Sequence, residues 1–496
     1  MHRLQTAHSF WTSEPPVFPN EYPEFGAHGR GGKLYDWYGI GQPLLLLPAD
    51  VLGTWLERLP VFEAYRGSDP TVRNIFVAST INTLLSVLTA LIACRLLCAL
   101  GFNLAQSVYG VLALLFCTTH LHYTQNMMEN NYILLLTLTG FCFQFEWLQT
   151  GSGRALLIGA GAFGLNLLTR LTTAIDLMAG GLFLLLVLWF EKAPQRQFRS
   201  RFAAYLEVAV PVYFFFIFLD RAYQFHRFGS WTDTYVHYFT LEHRRQDPAL
   251  PPNYPWETPF YVGFLGPLLT PEKSIFLFDP LILLTLLLAI RTWKMLGPAV
   301  KAFIVSALLL VLAYICFYAR YSVWSGDFAW GDRYLSSVVE MAAFISVPLL
   351  MKFHGQLSRA VRITGGFLIA AGLVIQLASL AFWLPLEIYQ MEDLGRPQVV
   401  IWMRLRNIAA YALGRMDGWG LNTDAMHYDP WDYQHISTWN FLPFVLRRVG
   451  AAPGWVVAAV GAAWATTIAA LLATLIALKN LLRAPLPSPT KVSGKP

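Results

Sequence analysis

Charge is scarce in this sequence. Asp, Glu, Lys and Arg make up 13% of its 496 residues, about half the usual share of a soluble domain, which excludes a chain whose whole surface faces water. Cysteine is scarce too. The five thiols, Cys94, Cys98, Cys117, Cys142 and Cys316, all lie in or at the ends of apolar segments. They show neither metal-finger spacing nor the pairing pattern of a secreted disulfide framework, so they read as packing residues. The formal charge of +6 is spread among short loops rather than gathered on one soluble face, which excludes nucleic acid as a partner. Internal repeats are missing as well, which weighs against a transporter built from duplicated halves.

What is abundant is apolar sequence, at 55% of residues. A hydrocarbon core of about 30 Å needs roughly 20 apolar residues per helix, and that template predicts an all-α polytopic bundle of eleven spans. They fall at 75–99, 104–121, 130–149, 154–170, 173–191, 202–220, 274–292, 299–320, 334–352, 361–384 and 455–480. Every second connector is basic, from Arg95 and Arg154 through the cluster Lys192–Arg201 to Lys352, Arg359 and the tail; Glu191 alone breaks the acid-free run. Basic connectors mark the cytoplasmic side. Residues 1–74 and 385–454 are then outer loops, 75–384 the main membrane region, 455–482 the last span and 483–496 a cytoplasmic tail.

The segment 41–59 is apolar but interrupted by Pro43, Pro48, Asp50 and Glu57, and it reads as a helix lying in the interface. With an odd number of spans, the N-terminus falls outside and the C-terminus inside. A polar head of that length crosses a membrane only with help, so a further helix upstream of Met1 is expected.

The outward connectors share a chemical character. "GAHGRGGKLYDWYGIGQP" gathers glycines around Lys33, Tyr35, Asp36, Trp37 and Tyr38. "THLHYTQNMMENNY" puts one acid, Glu129, at the mouth of a helix. In "LLTRLTTAID", Arg170 and Asp176 stand in apolar surroundings, and a charge retained at such depth marks a functional group by default. Asp176 is the expected partner of Arg170, and Asp220 with Arg221 is expected to end a span. "YSVWSGDFAWGDRYL" adds Trp324, Asp327, Trp330, Asp332 and Arg333. Cations near an outer interface suit an anionic ligand, and ring faces beside carboxylates suit a sugar. His120 and His122 alternate along the chain and so point apart on a helix; they read as structural rather than as metal ligands.

Several stretches, taken in order, resemble the polyprenyl-phosphate-dependent glycosyltransferases of the C-type superfamily, above all glycosyltransferase family 39, which includes the protein mannosyltransferases and the lipid A aminoarabinose transferase. They are "KLYDWYGIGQPLLLLPADVLG", "MMENN", "FGLNLLTRLTTAIDL", "HRFGSW", "PEKSIFLFDPLILL" and "WSGDFAWGDRYL". The resemblance covers roughly residues 20–350.

It implies a bacterial inner-membrane enzyme with its large loops outside. Such an enzyme transfers sugar from a polyprenyl-phosphate donor to an acceptor hydroxyl on a glycan, lipid or protein, with inversion. Glu129 and Asp36 would be the catalytic acids, and Arg170, Arg333 and Lys33 would meet the donor phosphate. Tyr35, Trp37, Trp324, Trp330 and Asp332 would hold the sugar. No cofactor is required, and a divalent metal is compatible with the chemistry. The family's principal acid follows its first transmembrane helix, and this chain has no counterpart to that pair. A lipid-handling protein that binds without reacting, or an inactive partner subunit, would carry the same loops.

Overall fold

The computed structural model describes residues 2–18, 25–65, 71–326, 329–382, 385–415, 439–449 and 453–483. It is helical nearly throughout. The N-terminal region contributes α1 (His2–Ser9), a two-stranded hairpin of β1 (Ala27–His28) and β2 (Leu34–Tyr35), and α2 (Gly41–Glu57). The strands pair antiparallel, Ala27 with Tyr35 and His28 with Leu34. Gly31 and Gly32, both at φ +70°, form the hairpin tip in a backbone region that residues with a Cβ seldom enter.

The bundle follows as α3 (Val72–Ala99), α4 (Leu104–Cys117), α5 (His120–Tyr123), α6 (Asn130–Thr150), α7 (Gly153–Thr169), α8 (Ala174–Phe190) and α9 (Gln195–Phe228). Next come α10 (Tyr235–Gln246), α11 (Phe260–Leu269), α12 (Ile275–Phe278), α13 (Leu281–Thr292) and α14 (Pro298–Tyr318). After these lie α15 (Ser336–Ala343), α16 (Ser346–Lys352), α17 (Arg359–Ser379), α18 (Pro385–Leu394) and α19 (Val400–Ala412). Helices Leu442–Val449 and Gly454–Arg483 close the described chain.

Local chemistry sets the boundaries. Thr71, Asn103, Ser152 and Ser358 each accept a backbone N–H in the first turn of the helix they precede, which satisfies donors that have no partner inside the helix. Gly151 and Gly229 end α6 and α9 in the left-handed conformation.

Among the described residues, six helices are long and apolar enough to cross a membrane: Val72–Ala99, Leu171–Phe190, Phe198–Phe228, Pro298–Tyr318, Arg359–Ser379 and Gly454–Asn480. Each of the eleven predicted spans has helical structure, but three are broken, the first of them 104–121, where extended Thr118 separates α4 from α5. The stretch 274–292 divides at Asp279–Pro280 because Pro280 forces its predecessor out of the α region, and Asp279 sits at φ −127°, ψ 69°. In 334–352, Pro348 lacks the N–H that would bind the Phe344 carbonyl, and α15 gives way to α16. Asp220 and Arg221 do not end a span, since α9 continues to Phe228.

The main core is built on rings, with Phe141, Phe183 and Phe303 in mutual contact at 5.3–6.1 Å and Phe344 against Phe303 at 5.6 Å. The segment predicted to lie in the interface is a helix with two faces. On one side Asp50 is fully buried, accepting hydrogen bonds from Trp11 and meeting His8, both at 2.8 Å, with Arg73 at 3.6 Å. On the other side Leu52 and Trp55 are exposed. The buried node ties α1 to α2 and α3, which fixes where Arg3 stands.

Candidate functional site

Helix α1, loop 38–41 and the connectors that carry Arg170 and Arg333 converge on the connector of Glu129. This residue directly precedes α6, its backbone carbonyl accepting from the Ile133 N–H at 2.8 Å. Its side chain makes no capping bond, which leaves the carboxylate to reach outward. Arg3 of α1 and Arg170 both ion-pair with it, one on each oxygen. Arg170 ends α7 with extended backbone, φ −154° and ψ 123°. The two guanidinium side chains are only 13% and 10% exposed. Loop 38–41 is pressed onto the end of α7: a Cβ on Gly39 would collide with the Leu168 carbonyl, and one on Gly41 with the Thr169 hydroxyl. Close approach of backbone to backbone demands glycine there.

Arg333 completes the group. The Asn130 amide donates to the Arg333 carbonyl and to the Ser336 hydroxyl, both at 2.5 Å, so the residue next to Glu129 pins the turn that carries Arg333. The Arg333 guanidinium donates to the Tyr334 hydroxyl at 3.2 Å, and its Nε is buried without a hydrogen-bond partner. Ring faces line the cluster. Arg3 lies 3.5 Å from the centroid of Tyr38, while Arg170 and Arg333 lie 5.3 and 5.1 Å from that of Tyr334. Tyr334 in turn stacks on Tyr318 at 4.4 Å.

Electrostatics follows from this count. Burial alone would raise the Glu129 carboxyl, but Arg3, Arg170 and Arg333, with the hydrogen bond from Arg170, outweigh burial and hold it well below the usual carboxylate range. Glu129 is therefore ionised and clamped at neutral pH.

The other predicted site residues disperse. Asp36 is buried in a node of its own, accepting from Thr6 at 2.8 Å and from Arg227 at 3.2 Å. Arg227 also donates to the backbone carbonyls of Asp36 and Tyr38. Burial raises the Asp36 carboxyl against the pull of Arg227 and Thr6. This node holds loop 36–38 in place beneath the cluster.

Lys33 is exposed and lines a different cavity, together with Tyr35. Trp37 is buried against Phe25, Phe239 and His243. Trp324 packs on Gly266 of α11. Trp330 is fully buried in a second core with Phe278 and residues of α18 and α19. Asp332 shapes the turn that precedes α15, accepting from the Tyr334 N–H at 3.0 Å through its side chain and from the Ser336 N–H at 3.0 Å through its carbonyl. Asp327 lies outside the described residues, as does the whole of the stretch 416–438.

Arg170 pairs with Glu129 and not with Asp176, which accepts instead from the Tyr314 hydroxyl at 2.9 Å. His120 and His122 serve packing: His120 meets Ser86 at 3.3 Å, and His122 meets Gln125 at 3.0 Å while stacking on Trp330. Among the described residues, no three His, Cys, Asp or Glu side chains are arranged to hold a metal ion. Sequence reasoning missed Arg3 and Arg227. Neither belongs to a motif, and their partners lie far away in the chain.

A further pair of acids is buried without a cation in hydrogen-bond contact. The Thr119 hydroxyl faces Asp279 at 3.0 Å and Glu340 at 2.8 Å. A hydroxyl has one proton to give, so one of the two carboxyls must donate to it in turn.

No family model matches this chain, and no curated protein matches it. Among solved structures it is similar to the crystal structure of ArnT from Cupriavidus metallidurans bound to undecaprenyl phosphate. The two share 13% sequence identity, the match covers 84% of this chain and 70% of that one, and the TM-score is 0.38. Likeness at that level transfers no function.

Proposed function

We propose that this chain is a membrane glycosyltransferase that moves a sugar from a polyprenyl-phosphate donor to an acceptor hydroxyl at the outer, periplasmic face of a bacterial inner membrane. One observation carries the reading: Arg3 and Arg170 pair with the single carboxylate of Glu129, and Arg333 stands near enough to act on it through space. Three cations less one anion leave two positive charges in a place largely shut off from water. Such a surplus is costly unless an anion completes it, and a phosphate suits the planar donor fork of arginine. The apolar helices around the cluster suit the prenyl tail. Tyr38 and Tyr334 hold the arginines through their ring faces and so border the place where the sugar would lie, whereas Trp37 and Trp330 are buried away from it.

In the transfer step the acceptor oxygen bonds to the anomeric carbon while the bond from that carbon to the phosphate oxygen breaks. The electron pair leaves on the phosphate, where the arginines meet the growing charge. A clamped, strongly ionised Glu129 is a poor base. A donor phosphate that draws Arg3 and Arg170 toward itself relieves the clamp, and Glu129 then accepts the proton of the acceptor hydroxyl. A single displacement of this kind inverts the anomeric centre.

Glu129→Gln in the reconstituted full-length protein, assayed with a radiolabelled polyprenyl-phosphate sugar, should lose transfer by about 100-fold or more while still binding the donor lipid. Full turnover would remove Glu129 from the mechanism. An unaltered chain that yields no acceptor-dependent product across a panel of such donors would overturn the reaction itself.

A further inference from the structure

A second concentration of positive charge lies at the far end of the bundle. Trp147 stands about 27 Å along α6 from Glu129, taking the helical rise per residue. Beside it α6, α8 and α9 part to leave a crevice whose walls include Trp147, Gly181, Leu188, Arg201, Phe202 and Tyr205. The lining is apolar except for Arg201 and the Tyr205 hydroxyl, and that hydroxyl is already engaged with the one of Tyr213 at 2.9 Å.

The crevice has a rim and a depth. Helix α8 runs toward this end and α9 away from it, so Leu188 and Arg201 form the rim while Gly181 and Tyr205 lie deeper. From Leu188 to Gly181 it follows α8 for roughly 10 Å. A Cβ added at Gly181 would meet nothing within 4 Å, so the space beside it has room for a side chain or for part of an acyl chain. The apolar span of α9 begins at Phe198. Arg201, one turn inside it, is at the depth from which an arginine stem lies along apolar surface while its head reaches the phosphates.

Charge at this end is unbalanced. The Arg201 guanidinium lies 6.0 Å from the centroid of Trp147, and its Nη1 would be 3.7 Å from a Cβ on Gly151. Among the described residues Arg201 forms no hydrogen bond and no ion pair. Arg154, Lys192, Arg196 and Arg199, in the adjoining turns, are exposed and equally unpaired among the described residues. The acids do not offset them. Glu146 is taken by Arg95 at 2.7 Å. Glu191 and Glu207 are exposed, neither lines the crevice, and Glu207 stands about 120° around α9 from Arg201. Five cations against these two acids leave three positive charges.

We infer that this crevice seats an anionic phospholipid of the surrounding bilayer, its phosphate on Arg201 and an acyl chain along α8 between Leu188 and Gly181. An acyl chain joined to a phosphate suits the apolar depth and the cationic rim together, which a soluble anion does not. Charge complementarity selects the headgroup. A zwitterionic lipid brings a cation of its own into the surplus, whereas phosphatidylglycerol does not. The inference uses no part of the transfer reaction.

The test is native mass spectrometry of the full-length protein released from nanodiscs made with equal amounts of phosphatidylglycerol and phosphatidylcholine. The unaltered chain should retain phosphatidylglycerol about fivefold or more over phosphatidylcholine, and Arg201→Gln, which keeps the stem and removes the charge, should cut that preference about fivefold. Gly181→Leu, which fills the crevice where there is room for it, should reduce retention of both lipids. Arg333→Ala, at the other end of the bundle, should change neither.

Equal retention of the two lipids by the unaltered chain, or a preference that survives Arg201→Gln, would overturn the site. So would a Gly181→Leu variant that retains lipid as the unaltered chain does, because surface charge alone would then be holding it. A preference lost in Arg333→Ala would move the lipid to the Glu129 cluster and overturn it as well.

Discussion

Glu387 and Glu129 are both buried beside arginine, and they are treated in opposite ways. Glu387 is held by Arg404 through two parallel hydrogen bonds of 2.6 Å, and Asn407 donates to it at 2.9 Å. The remaining Arg404 donor group is spent on the carbonyls of Ala378, Ser379 and Phe382. Both side chains are wholly buried, and one cation faces one anion. Glu129 instead faces three arginines, and one of them keeps a buried nitrogen without a partner. A balanced, saturated pair is scaffold; it fastens α18 and α19 to the end of α17 and sets Arg404 against Trp330 at 5.2 Å. On the function proposed above, the unbalanced, unsaturated cluster is the place kept for the donor phosphate.

The largest effect expected from this contrast is on stability. Arg404→Ala strands the Glu387 carboxylate in an apolar setting and should cost about 3–5 kcal/mol, read as a fall in the thermal midpoint of the solubilised protein. Arg333→Ala, which removes an arginine of the surplus, should lower that midpoint far less. Equal losses would erase the distinction between scaffold and site.

A smaller effect concerns pH. The Glu129 carboxyl is depressed from its ordinary 4.5 in the folded protein. The stabilisation it contributes is thus fully present above that value and is lost as pH falls below it. The stability difference between the unaltered chain and Glu129→Gln, on the order of 2 kcal/mol, should stay flat from pH 8 to pH 5 and shrink toward more acid pH. A difference that shrinks as pH rises instead would mean that Glu129 is protonated in the folded state.

Much of this arrangement was legible before the structure. Apolar length located the helices, and the alternation of basic connectors sorted the others into one set. Glu129, Arg170 and Arg333 meet although they come from three different connectors, because a bundle whose spans alternate in direction returns every second connector to the same end. Pro280 and Pro348 were visible as residues, but that they break spans follows only from the neighbours that tolerate the missing bonds.

Aromatic side chains misled for a physical reason. Tryptophan suits a sugar face and a packed core equally well, and only the burial of Trp37 and Trp330 separates the two uses. Lys33 stands apart because the β1–β2 hairpin that carries it faces a different cavity. Arg3 was illegible because an ion pair across more than a hundred residues leaves no period or spacing. Its position depends on the Asp50 node that ties α1 to α2.

The central claim is that the arginine surplus at Glu129 is completed by a lipid phosphate. Titration of undecaprenyl phosphate into the full-length protein in nanodiscs, beside its Arg333→Ala variant, tests it most directly. One saturable site per chain, weakened about 10- to 100-fold by loss of the Arg333 charge, is the result expected. Unsaturable uptake, or an affinity indifferent to Arg333, would contradict it.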